Sequence, residues 1–414
     1  MKILNFIQYS GLNVFSLREY RYFWIAAATS NIGYWSLTYG RMWLMHDLTD
    51  SPVWVGAVAT VAQAPVFLFS VWGGVFADRV NRLKVVRITR TLFGVLALIM
   101  VALIYFNLIQ PWHILAISLG TGLLFSVDLP SRIAMMPSIV NKKQLPSAIA
   151  LYSVVFGGSQ IIGPSILSAT VQNIGMDGFF LMIAISYFAT TVVLLKMDLK
   201  LHEPSGKRLN PFNELLAGFR YFKGEKTLYG IILIGVFGGI VGSSYETLLP
   251  KFTGIIFSGN VTDYSKLLVY TGIGGLLGTL IILLLGKRGF TVQLAFIGGL
   301  ISGLSILLIG SSVLIWLIFL GCVILGASRT ISSSMLQTLY QTLAKDEYRG
   351  RAMSIYQLTW SVSALGGILM GYIGKTYGII ETLNLSGLIV IGVYIVGAVF
   401  FFKILLLGYQ KIIK

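Results

Sequence analysis

About twelve stretches of this chain are long and apolar enough to cross a bilayer, and no other feature limits the possible folds so severely. They lie near 22–46, 52–77, 85–107, 112–139, 144–172, 178–197, 227–253, 265–286, 289–311, 313–342, 350–374 and 384–408. A spanning helix needs about 20 mostly apolar residues. With 56% of its 414 residues hydrophobic and only 11% charged, the chain is excluded from the ordinary soluble proteins. The fold class that follows is an all-α integral membrane protein of twelve transmembrane helices, with the lipid bilayer as its first partner. The net charge of +16 would suggest nucleic acid in a soluble domain. Here the basic residues gather in alternate short loops, among them Arg82, Lys84, Arg87, Lys142, Lys143, Lys287, Arg288, Arg349 and Arg351. They report orientation, not a polyanion, and place both termini on the cytoplasmic side of the plasma (inner) membrane. Lys251, Lys266 and Lys375 are exceptions near outer helix ends, from which a long side chain snorkels. The opening MKILNFIQYSGLNVF reads as an interfacial lead-in, not a signal peptide.

One long polar interval, 198–226, divides the runs into two sets of six, giving bundles over 1–197 and 227–414. Within it, Asn210–Pro211 followed by Leu215, Leu216, Phe219 and Phe222 reads either as a capped amphipathic surface helix or as a solvated tether. The two sets echo each other. Ser131–Arg132 ends the fourth run and Ser328–Arg329 the tenth, each followed by a basic loop and an Ala/Ser-rich helix. This is a trace of duplication, the pattern of two bundles related by an axis along the membrane normal.

Between the second and third runs stands GVFADRVNRLK, with Gly74 and Asp78 one helical turn apart, followed by Arg79, Arg82 and Lys84. It resembles the signature loop of the major facilitator superfamily, G-x-x-x-D-R-x-G-R-R/K. Asn81 replaces the usual Gly and Leu83 takes the last basic position. Asn tolerates a left-handed backbone, so the expected turn survives. SLREYRYFW, SNIG at 30–33, LTDSPVWVG at 48–56, DLPSR at 128–132, GPSIL at 163–167 and RGRAMSIY at 349–356 resemble the branch holding macrolide, multidrug and enterobactin exporters. The resemblance implies the major facilitator fold of two pseudo-symmetric six-helix bundles. It also implies alternating access and export of a small molecule in exchange for protons.

Candidate site residues follow from charge inside apolar runs, where an unpaired charge costs several kcal/mol. Asp128 lies four residues before Arg132 on one helix face, either as a proton or substrate site or as a static ion pair with Pro130 between. Glu246, beside Gly242, Ser243, Ser244 and Tyr245, reads as a cavity-lining acid able to take up and release a proton, or as a solvated acid at the outer mouth. Arg329, in a hydroxyl-rich neighbourhood, is a candidate to bind an anion, to compensate Glu246, or to pack helices. Arg41 is a candidate gate residue paired with Asp47 or Asp50. Tyr34, Trp35 and Tyr39 form an aromatic face for a flat or amphipathic substrate, or pack the bundle. Exporters of the resembled branch often carry an Asp after the SNIG glycine, where this chain has Tyr34. Coupling must therefore use Asp128 or Glu246. Gly163–Pro164 resembles the antiporter motif G-P-x-x-x-G with Ser168 in place of the last Gly, which favours export. Asp78 is expected near Gly350 and Arg351, where helix-end N–H groups and the Arg favour an acid; the resemblance implies that this contact, with Gly74, Arg79 and Arg82, forms a gate that holds the cytoplasmic side closed.

No phosphate loop or metal-ligand cluster is evident, His46, His113 and His202 are scattered, and Cys322 sits within an apolar run. Enzyme activity, a metal and a cofactor are therefore not expected. The expected function is secondary transport by a monomer, with a small-molecule substrate and protons as partners. The alternatives are a proton-independent facilitator or importer, and a receptor or scaffold without transport.

Overall fold

The computed structural model describes residues 11–199, 225–242, 245–285, 290–345, 356, 359, 362 and 365–401, with the side chains of 11–12, 70–79 and 226 outside that description. These residues are helical apart from short links and contain no strand. A 3-10 turn over Gly11–Ser16 precedes α1 (Arg18–Thr49), α2 (Pro52–Arg79), α3 (Arg82–Tyr105), α4 (Pro111–Ile139) and α5 (Leu145–Leu195). Then come α6 (Lys226–Gly242), α7 (Tyr245–Ile256), α8 (Val261–Leu285), α9 (Thr291–Ser311), α10 (Ile315–Leu343), α11 (Gly366–Tyr377) and α12 (Ile379–Phe400). Helix lies within each of the twelve apolar runs, and nine helical segments among the described residues are long and apolar enough to cross a membrane. The amphipathic segment expected within 198–226 falls, from residue 200 to 224, outside the described residues.

The side-chain pattern is that of helices dissolved in lipid. On α3, Ile88, Leu92, Val95 and Ile99 are exposed at helical spacing, while Val86, Thr89, Arg90, Phe93, Ala97 and Met100 are buried. Thr89 and Arg90 point inward and, from Ile88 to Ile99, the exposed stripe is wholly apolar, because the surrounding solvent is hydrocarbon. Pro52 and Pro111 open α2 and α4, positions where a missing backbone N–H costs nothing.

The links are short and each has a specific cause. Asn81, expected to adopt a left-handed turn, instead has φ −64° and ψ 103°, and its side chain accepts the Lys84 N–H at 3.1 Å. It is the N-cap of α3, a role that needs extended backbone and a side-chain oxygen, so no glycine is required there. The 51 residues of α5 would extend about 75 Å as one helix, against a hydrocarbon core of about 30 Å. The helix breaks at Gly175, φ 75° and ψ 178°, a conformation essentially restricted to glycine. The segment therefore makes two passes, as the hydropathic gap after Asn173 predicts. A single residue, Gly378 at φ 105°, joins α11 to α12 and donates its N–H to the Gly374 carbonyl at 3.2 Å.

The chain divides into two units, residues 1–41 with 68–208 and residues 42–67 with 209–414, so α1 and α2 contribute to both. In the first unit α3 packs on α4 and α5. Tyr20, Phe23, Val86, Met135, Met136 and Leu194 form a core into which the lead-in turn inserts Val14. In the second unit α10 packs on α8 and α9, and α9 on α12. There α2 crosses α11 so closely that a methyl on Gly56 would overlap the Gly367 carbonyl, and Lys251 on α7 pairs with Asp50.

Gly175→Val is expected to lower stability by about 1–3 kcal/mol, because a β-branched residue cannot hold this backbone without strain. A fall in the thermal unfolding midpoint in detergent checks this, and an unchanged midpoint would contradict the assigned break.

Candidate functional site

Asp128 on α4 is fully buried and carries three side-chain partners. Its Oδ2 pairs with Arg90 Nη2 of α3 and lies 2.7 Å from Arg132 Nε, while its Oδ1 accepts the Thr89 hydroxyl at 2.7 Å. Arg132 reaches further, donating through Nη1 to Tyr152 Oη at 3.0 Å and Asn31 Oδ1 at 3.3 Å. Arg90 lies 5.5 Å from the Phe93 ring centroid and 5.9 Å from that of Tyr187. The i, i+4 pair of Asp128 and Arg132 is thus present as expected, but Arg90, Thr89, Asn31 and Tyr152 are additions to it. Arg90 had a legible signal: it is a cation inside the run 85–107. Protonating Asp128 would leave two buried guanidinium groups without counter-charge, so the geometry favours a static role for this acid.

Arg41 is also buried, at 1% exposure. Its Nε donates to the Leu37 carbonyl at 3.1 Å and its Nη1 to the Thr121 hydroxyl at 2.6 Å. Of its two expected partners, Asp50 pairs with Lys251 and lies 3.7 Å from His46 Nδ1.

In the second unit Arg329 Nη1 on α10 donates to Glu246 Oε1 on α7 at 2.9 Å, with 40% and 25% of the side chains exposed. The Arg329 guanidinium lies 5.8 Å from the Tyr245 ring centroid. A partly exposed ion pair within membrane-spanning segments needs a water-lined surface, because hydrocarbon would not solvate it. The nearby hydroxyls serve helix packing. Ser332 donates to the Ala295 carbonyl at 2.8 Å and lies 2.8 Å from Tyr394 Oη, and Ser328 and Ser333 bond within their own helix.

The aromatic candidates pack partly against one another. Tyr34 stacks on Phe125 at 4.5 Å, and Trp35 stacks on Tyr39 at 5.5 Å and meets Phe156 edge-on at 5.8 Å. Tyr34 and Trp35 keep partial exposure, whereas Tyr39 is 5% exposed and belongs to the core. Gly163 lets α5 meet α1. A Cβ there would stand 3.0 Å from Ser36 N and Trp35 Cβ, and Ser36 Oγ donates to the Gly163 carbonyl at 3.3 Å. Pro164 follows, buried within the helix. Of the gate residues, Gly74, Asp78 and Arg79 lie in the last turns of α2, but their side chains are outside the described residues, as are Gly350 and Arg351 altogether. Arg82 donates through Nη1 to the Ala134 carbonyl at 2.8 Å, tying the start of α3 to α4.

Apolar stripes facing outward, with ion pairs and arginines turned inward, define an integral membrane protein whose helices manage charge within the bilayer. The chain belongs to the transmembrane secretion effector family of the major facilitator superfamily, whose model matches residues 9–405. It is similar to the staphyloferrin A transporter of Staphylococcus aureus (strain NCTC 8325 / PS 47), 25% identical over 89% of this chain and 92% of that protein. It is also similar to the enterobactin exporter EntS of Salmonella typhi, 27% identical over 83% of each. In fold it resembles a POT family transporter in complex with 5-aminolevulinic acid, at TM-score 0.75, 16% identity, and coverage of 94% of this chain and 97% of that one. A bacterial homologue of the human lysosomal transporter Spinster, inward-facing and unoccupied, gives TM-score 0.71, 14% identity, and coverage of 93% and 95%. The chain is therefore a membrane transporter of a small molecule and not an enzyme.

Asp128→Asn is expected to cost about 3–5 kcal/mol, because the neutral amide strands two buried cations. Glu246→Gln breaks a solvated pair worth about 0–1 kcal/mol. Thermal unfolding of the two variants in detergent should separate them clearly, and equal midpoints would contradict the structural role of Asp128.

Proposed function

We propose that this transporter exports a small amphipathic molecule, drug- or siderophore-like, by alternating access and in exchange for protons, with Glu246 as the coupling acid. The observation that carries this reading is the Glu246–Arg329 pair, which joins two different helices and is partly exposed on both sides. Both members of the pair keep access to water, as proton exchange at this site requires. Asp128 has no such access. Export is supported by the close α1–α5 approach at Gly163 and by the relatives named as transporters of siderophores. In the same reading, bundles over 1–197 and 227–414 rock about the site and the interval 198–226 links them. Asp78 meets Gly350 and Arg351 to close the cytoplasmic side. A monomer suffices, and both termini face the cytoplasm of a plasma (inner) membrane protein.

Reconstituted protein with a pH-sensitive dye inside the vesicles and a panel of amphipathic drugs and catechol-type chelators tests the coupling. Glu246→Gln is expected to abolish substrate-dependent proton movement while retaining substrate exchange under equal concentrations, since exchange requires no net proton transfer. Substrate flux with no proton signal in the wild type would make the chain a facilitator and reject the antiport. Asp78→Asn is expected to reduce transport severely without preventing membrane insertion. Full activity in that variant would remove Asp78 from the gate.

A further inference from the structure

Among its described residues, the first unit buries more positive than negative charge. Arg41, Arg90 and Arg132 are each at most 3% exposed, against one buried acid among the described residues, Asp128, which Arg90 and Arg132 already share. Arg41 is left with a backbone carbonyl and a hydroxyl, and with no acidic partner among the described residues. A guanidinium without counter-charge inside a membrane bundle is costly and marks a functional position.

Two hydroxyls near it are also unfilled. Ser118 Oγ, one turn before Thr121 on α4, and Tyr187 Oη are buried with no hydrogen-bond partner among the described residues. Tyr187 stands on α5 and reaches α1. Its ring stacks on Phe93 at 5.2 Å and rests against Gly33, where a Cβ would stand 3.3 Å from it. The Arg41 side chain runs back along α1 to the Leu37 carbonyl, toward the turn that Tyr187 touches. A cation and two hydroxyl donors, none of them spent on an acid, form the donor set that a small anion requires.

We propose that Arg41, Ser118 and Tyr187 receive a carboxylate, or a similarly small anionic group, of the transported molecule, so that this transporter carries an anionic amphipath. The half-buried Tyr34, stacked on Phe125, offers an aromatic surface to the apolar body of the same molecule. This rests on the transport reading above and adds the charge of the cargo to it. A free inorganic anion such as chloride would meet the same donors, and the test separates the two.

The full-length protein, purified in chloride-free detergent solution, is titrated with 2,3-dihydroxybenzoate, with its uncharged methyl ester and with chloride, following the thermal midpoint. The acid is expected to act at a concentration about tenfold or more below the ester. Arg41→Gln should erase that preference, and Ser118→Ala and Tyr187→Phe should each weaken the acid by about three- to tenfold and leave the ester unchanged. Arg41→Lys, which keeps the charge, should retain a reduced preference and covers the case of a misfolded Arg41→Gln. Equal responses to acid and ester in the wild type, including none to either, overturn the proposal, as does an intact preference in Arg41→Gln. Chloride that competes with the acid, in vesicles that do not carry the acid, makes this a resident inorganic-anion site and overturns the cargo assignment. Proton-coupled efflux of a neutral dye with no acid preference sinks this proposal alone, while absence of all flux sinks the transport reading with it.

Discussion

The first unit depends on one carboxylate. Asp128 gathers Arg90 and Thr89 from α3 and Arg132 from α4, and through Arg132 it reaches Asn31 on α1 and Tyr152 on α5. In a bilayer there is no water to solvate a stray guanidinium, so each inward-facing cation has to find its partner within the bundle. The apolar outer stripe of α3 is the other side of the same arrangement. Its Ile88, Leu92 and Ile99 can face hydrocarbon because Thr89 and Arg90 close on Asp128 behind them. Four helices are held by one network, buried except where Arg132 meets the partly exposed Tyr152.

The two Ser-Arg pairs stand in different mechanical settings. Arg132 and its acid stand on the same helix, four residues apart, so no relative motion of helices can separate them. Arg329 and its acid stand on α10 and α7, so any shear between those helices changes their distance. Helix motion alone cannot part the first pair, and it can part the second. Exposure follows the same division: Asp128 is sealed, while Glu246 and Arg329 both touch solvent.

Much of this was legible in the sequence, and the reasons for the rest are physical. Hydropathy located helix in all twelve runs because lipid demands long apolar segments, whatever the tertiary contacts. The pairing of Glu246 with Arg329 stood among the alternatives for Arg329, and cross-bundle geometry was needed to select it. Arg90 stands close to a basic loop, where in sequence an interior cation looks the same as an orientation signal. Arg90 belongs to the interior, while Arg87, three residues earlier, donates to the Leu194 and Met197 carbonyls at the end of α5. Asn81 tolerates a left-handed turn, but the competing preference of Asn for the N-cap wins. Ser118 and Tyr187 give no sequence signal, since a lone hydroxyl in an apolar run is ordinary and only the packed structure shows it without a partner.

The link at Gly378 carries a mechanical consequence. With one residue between α11 and α12, neither helix can slide lengthwise past the other without unwinding a turn. The two-residue step from α1 to α2 and the one-residue break in α5 impose the same restriction on their helices. Each of these helical hairpins is coupled at its tip like the blades of a pair of tweezers, so its members tilt together and spread only at the open end.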